Sequence, residues 1–92
     1  VVEIPESYSL KNNFPNPFNP VTSISYELPE DVYVRLKIYD LTGKMIRDLV
    51  NDLHSAGKYT VQFDASRIPS GIYVYKIEAD SFTDSKKMLL LK

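Results

Sequence analysis

A chain of 92 residues supports one domain with one modest core, and leaves no room for a cofactor-binding half beside a catalytic half. Its 11 lysines and arginines are balanced by 12 aspartates and glutamates, which excludes the basic footprint of a nucleic-acid binder. Cysteine is absent, so disulfides and thiolate metal sites are excluded, and no apolar run reaches the ~18 residues that span a bilayer.

Residues 1–6 are expected to be the remnant of a linker, with the domain over 7–92. Val1 opens a short apolar-acidic stretch, unlike the basic start of a signal peptide. A first strand is expected over 7–13. The segment "NNFPNPFNP" (12–20) then sets Pro15, Pro17 and Pro20 within six positions. Proline fixes φ, donates no N–H and drives the residue before it toward extended geometry. Phe14, Asn16 and Asn19 are thus held extended, and the segment cannot pair fully as a central strand. It suits a stiff crossing between sheets or a blunted edge, with Phe14 and Phe18 pinned into the core.

Period-2 alternation follows. Ile24, Tyr26 and Leu28 alternate with Ser23, Ser25 and Glu27; Val32, Val34, Leu36 and Ile38 alternate with Tyr33, Arg35, Lys37 and Tyr39. Each pattern marks a strand with one buried face. Residues 44–53, "KMIRDLVNDL", place Met45, Leu49 and Leu53 at helical spacing, but so short a stretch barely makes a helix, and a bulged strand is preferred. Tyr59, Val61 and Phe63 alternate again. "IYVYKIEA" (72–79) starts apolar on both faces, as a central strand does, with Tyr73 and Tyr75 facing inward beside Tyr26 or Tyr59. The three glycines, Gly43, Gly57 and Gly71, end the turn-like groups "DLTG", "HSAG" and "IPSG". The "DS" reversal at 80–81 is the weakest, having no glycine to take φ > 0. Seven strands are predicted, over about 7–13, 21–28, 32–40, 44–50, 57–64, 72–79 and 82–91. The fold class is all-β, an antiparallel sandwich.

Chemistry is sparse. His54, flanked by Asp52 and Ser55, is expected to be an exposed turn residue, because three neighbours in a loop do not build a triad. Scattered carboxylates match neither a glycosidase pair nor a calcium loop, and no phosphate-binding, nucleophile-elbow or zinc-protease motif is present. No cofactor and no metal is expected. Tyr33 and Tyr39 fall on the polar face of their strand, where they either pair across strands or serve as anchors for a protein or a sugar. "SKKMLLLK" (85–92) ends the chain. It reads either as a core strand with lysine gatekeepers or as an extended segment recognised by a receptor.

The ordered set "FPNPFNP", "IYDLTGK", "AGKY", "SGIYVYKI" and "KKMLLLK", from about Tyr8 to Lys92, resembles the type A C-terminal sorting domain of type IX (Por) secretion cargo. The resemblance implies an Ig-like sandwich that is not a catalyst. It implies a sorting signal recognised by the outer-membrane type IX translocon and a cell-surface sortase, carrying an N-terminal passenger through the periplasm to the cell surface or into the medium. By motif, Pro15, Asn16, Pro17, Asp40, Gly43, Gly57, Gly71 and Tyr73 shape the fold. Lys86, Lys87, Met88, Leu89, Leu90, Leu91 and Lys92 are the segment expected to meet the partner, by adding a strand to it. Weak self-association through an edge strand is a further expectation. The sequence departs from many relatives at Asp80–Ser81, where they carry glycine, and at Phe63, where they carry tryptophan. The alternative is an Ig-like structural or carbohydrate-binding accessory module of a secreted enzyme.

Overall fold

The computed structural model describes residues 3–92; Val1 and Val2, part of the expected linker remnant, lie outside the described residues. Seven strands form: β1 Ser9–Leu10, β2 Val21–Leu28, β3 Val32–Tyr39, β4 Met45–His54, β5 Gly57–Asp64, β6 Gly71–Ala79 and β7 Phe82–Leu90. They make a three-stranded sheet in the order β1-β2-β5 and a four-stranded sheet in the order β4-β3-β6-β7, with every strand pair antiparallel. The inward residues of β2, β3 and β6 and the end of β7 close on one another as a single apolar cluster. Ile24, Tyr26 and Leu28 meet Val34, Leu36, Ile38, Tyr75, Ile77, Met88 and Leu90 there, each side chain supplying roughly 1.5–3 kcal/mol of burial.

The β3–β4 hairpin shows how residues select a turn. Gly43 N–H donates to the Asp40 carbonyl, and Asp40 N–H to the Lys44 carbonyl. Gly43 sits at φ +89°, in the left-handed region that a Cβ disfavours. Asp40 Oδ1 accepts from Thr42 N–H, Thr42 Oγ1 and Lys44 N–H. At 80–81 the left-handed position is taken by Asp80 itself, at φ 57°, a conformation aspartate tolerates better than most residues.

Three expectations change. The first strand is two residues long, not seven, because the backbone switches partners. Lys11 N–H still donates to the Ser25 carbonyl, but Asn13 N–H turns away to the Tyr75 hydroxyl. Phe14 is exposed rather than pinned in the core. Its backbone pairs with Ser23, on the outer face of β2, and directly opposed residues share a face. β4 runs on to His54, so that histidine ends a strand instead of lying in an exposed turn. It is half-buried, its ring 4.4 Å from that of Tyr59, with Nδ1 3.3 Å from the Tyr26 hydroxyl. The bulged character of 44–53 does appear: Leu49 and Ile46 are each skipped in the pairing with β3.

Candidate functional site

β7 is an edge strand of the larger sheet, and its two halves differ. Over its C-terminal half the outer edge is covered by the proline segment. Leu89 N–H donates to Asn16 Oδ1 at 3.0 Å, Phe18 N–H to the Leu89 carbonyl, and Leu91 N–H to the Phe18 carbonyl. Phe18 is the anchor, only 2% exposed and packed against Phe63 with ring centres 6.2 Å apart. Pro15 and Pro17 are exposed around it. The Pro15 carbonyl accepts from Asn13 Nδ2 and Thr22 Oγ1, which fixes the start of the segment. Asn16 was expected among the fold-shaping residues, but its contact with Leu89, and the contact of Asn13 with the Tyr75 hydroxyl, were missed, since polar contacts across 60 or more residues leave no local pattern.

Over the N-terminal half the outer edge is open. Leu89 and Leu91 turn their amides toward segment 16–18, so by the antiparallel alternation Thr83, Ser85 and Lys87 turn theirs toward the same edge. Ser85 N–H is occupied by the Asp84 carboxylate at 2.8 Å.

The seven closing residues expected to meet a partner therefore divide. Met88 and Leu90 are buried core residues, unavailable to any surface partner while the domain is folded. Lys86 is half-buried on the inner side of the strand. Lys87 and Leu89 face outward, opposite Val74 and Ile72, and Leu91, just past the end of β7, is exposed. Asn16, Ile72, Lys87, Met88 and Leu89 line a shallow groove of about 160 Å³ whose floor is largely apolar. Lys92 folds back, its N–H donating to Ser70 Oγ and its Nζ to the Ser66 carbonyl.

Of the other fold-shaping motif residues, Asp40, Gly43 and Gly57 lie apart from this strand, whereas Gly71 and Tyr73 pair with its Leu90 and Met88. Asp40 and Gly43 build the β3–β4 turn, Gly57 and Gly71 begin β5 and β6, and the Tyr73 hydroxyl donates to the Pro69 carbonyl and pins the turn before its own strand. Hydrogen bonds from Thr42 hold the Asp40 carboxyl below its ordinary value, so the turn keeps its acceptor through mildly acidic conditions. Tyr33 and Tyr39 lie on the outer face of β3; the Arg35 guanidinium stands 5.5 Å from the Tyr33 ring centre. Among the described residues, no group of three or more His, Cys, Asp or Glu side chains is placed to hold a metal ion. Among the described residues, no helix is long and apolar enough to cross a membrane.

Against this geometry, a family model described as secretion system C-terminal sorting domain matches residues 12–91. The chain belongs to this family of type IX secretion sorting domains. The matched range takes in the proline segment and β2 to β7, and leaves β1 outside. Sorting domains of this family are non-catalytic parts of cargo precursors handled by the secretion machinery, for export to the cell surface or secretion. A search of curated proteins found no match to this sorting domain.

Proposed function

We propose that this domain is the address by which the outer-membrane type IX translocon recognises a passenger protein, and that the address is read on the outward face and open edge of β7. In this reading a cell-surface sortase acts upstream of the fold, in the linker that residues 1–6 continue. A start of the folded unit near residue 7 in this reading is supported by Tyr8, whose ring stacks on Phe82 at 5.1 Å and whose hydroxyl donates to Glu30 Oε2 at 2.6 Å. The observation that carries the reading is the family match over 12–91 together with an edge strand that offers unpaired backbone beside an apolar, lysine-flanked groove. Added strands gain affinity from main-chain hydrogen bonds and selectivity from the side chains alongside them.

The test uses a folded reporter fused ahead of the chain in a bacterium with a working type IX system. Deleting 87–92 removes Met88 and Leu90 from the core, so it tests folding as much as recognition. The informative variant is Lys87→Glu with Leu91→Ser, both exposed. Its thermal melting should match the parent, as surface changes of this kind stay within about 0.5 kcal/mol each. Surface display of the reporter should fall to the level of a fusion lacking the domain. Normal display of that folded variant would remove the proposal.

The accessory-module reading relies on Tyr33 and Tyr39. These lie six residues apart on one strand, roughly 20 Å, too far for one sugar ring to touch both. Arg35 already occupies one face of Tyr33.

A further inference from the structure

The open half of β7 carries the sequence Phe82-Thr83-Asp84-Ser85-Lys86-Lys87. Edge-facing amides belong to Thr83, Ser85 and Lys87, so an added antiparallel copy of the same strand must pair odd positions with odd positions. Of the two-fold registers that satisfy that rule within the open stretch, those centred on Asp84 and Ser85 each pair five residues, and those centred on Thr83 and Lys86 only three. Centred on Asp84, pairing sets Asp84 against Asp84. Centred on Lys86, it sets Lys86 against Lys86. Centred on Ser85, it sets Asp84 of each copy against Lys86 of the other, twice, and Thr83 against Lys87, twice.

Opposed side chains at the non-hydrogen-bonded positions of an antiparallel pair are the closer ones, with Cα atoms ~4.5 Å apart. Asp84 and Lys86 occupy those positions in the register centred on Ser85. Like charges directly opposite destabilise, while opposite charges contribute ~0.2–1 kcal/mol per pair. Both side chains are half-buried, and among the described residues neither has an oppositely charged partner within 4.0 Å. The Asp84 carboxylate meanwhile caps Ser85 N–H, a bond that an incoming Ser85 carbonyl replaces.

We infer that β7 is a self-complementary edge, and that two copies of this domain associate in solution through antiparallel β7–β7 pairing centred on Ser85, joining their four-stranded sheets into one of eight. The pairing ends where Asn16 closes the edge at Leu89. A contact this short falls below the ~1,000 Å² of a stable interface, so the dimer is transient and salt-sensitive. The inference concerns the edge proposed above as the address, but it rests on strand chemistry alone. It is measured on the isolated chain, without secretion machinery, so the two proposals fail separately.

Sedimentation equilibrium over a wide concentration range should show a reversible monomer–dimer equilibrium weakened by 0.5 M salt. Asp84→Lys and Lys86→Asp, each alone, should weaken dimerisation roughly tenfold or more. The double reversal, Asp84→Lys with Lys86→Asp, restores opposite charges across the same register and should recover it. Amide exchange at Thr83 and Lys87 should slow with increasing concentration in the parent chain, a readout that needs no variant. A chain that stays monomeric at millimolar concentration would overturn the inference. Single reversals that dimerise like the parent, or a folded double reversal that stays as weak as the singles, would do the same.

Discussion

The Tyr75 hydroxyl joins two distant parts of the chain. It accepts the Asn13 N–H at 2.9 Å and donates to the Lys11 carbonyl at 2.7 Å, so an inward tyrosine of β6 bends the first strand away from β2. Burial raises the pKa of this phenol, and the Asn13 N–H opposes that rise, so the hydroxyl stays protonated and able to donate over the physiological range. Tyr75→Phe keeps the ring in the core but leaves a buried N–H without an acceptor, a loss of about 1–3 kcal/mol. For a domain of this size that is a fall in melting temperature of roughly 5–20 °C. An unchanged melting temperature would show that the hydroxyl does not hold the 11–13 segment. A tyrosine at this position reads from sequence as a core ring; that its oxygen is also a tether depends on where Lys11 and Asn13 come to lie, and no local pattern states that.

Among the elements, the proline segment and β7 depend on each other. Segment 16–18 supplies a partner for the backbone of residues 89–91, and Phe18 holds that segment against Phe63. Phe18→Ala should therefore cost about 3–5 kcal/mol and leave the end of β7 open to amide exchange. Phe14→Ala, at a site 79% exposed, should stay within about 0.5 kcal/mol. Equal effects from the two would contradict this account. The strands that alternate cleanly, β2, β3 and β6, were legible because one-sided burial writes itself into the sequence at period two. The bulged character of β4 was legible because its apolar residues break the two-residue period; the structure skips Ile46 and Leu49, turns Ile46, Leu49 and Val50 toward the core and leaves Met45 and Leu53 exposed. Phe14 and Phe18 look alike in sequence, four positions apart and each beside a proline. Register with Ser23 sends one outward, and pairing with Leu89 to Leu91 sends the other in. The closing segment was legible as a strand, but its division into a covered half and an open half required Asn16 to be seen on Leu89.

At the scale of the whole molecule, the tyrosines set the alkaline limit. Burial, with Tyr59 nearby, pushes Tyr26 from 10.0 up to about 12, and burial also raises Tyr73 and Tyr75. The folded state holds these protons more tightly than the unfolded chain. Their contribution is complete below the unfolded value near 10.0 and is lost as pH climbs through the folded values. Urea unfolding should give a level stability up to pH 9 and a decline between roughly pH 10 and 12. Tyr26→Phe should make that decline shallower; the same slope with and without Tyr26 would show that this phenol is not coupled to folding. The reciprocal grip of the first and last segments also bears on synthesis. Asn16 leaves the ribosome long before Leu89, 73 residues later, yet neither has its partner until both exist. The core of the sandwich stays incomplete until Met88 and Leu90 have been added. A polypeptide cut short before Met88 thus loses its tag and its shape together, so a broken message yields no product that displays the domain.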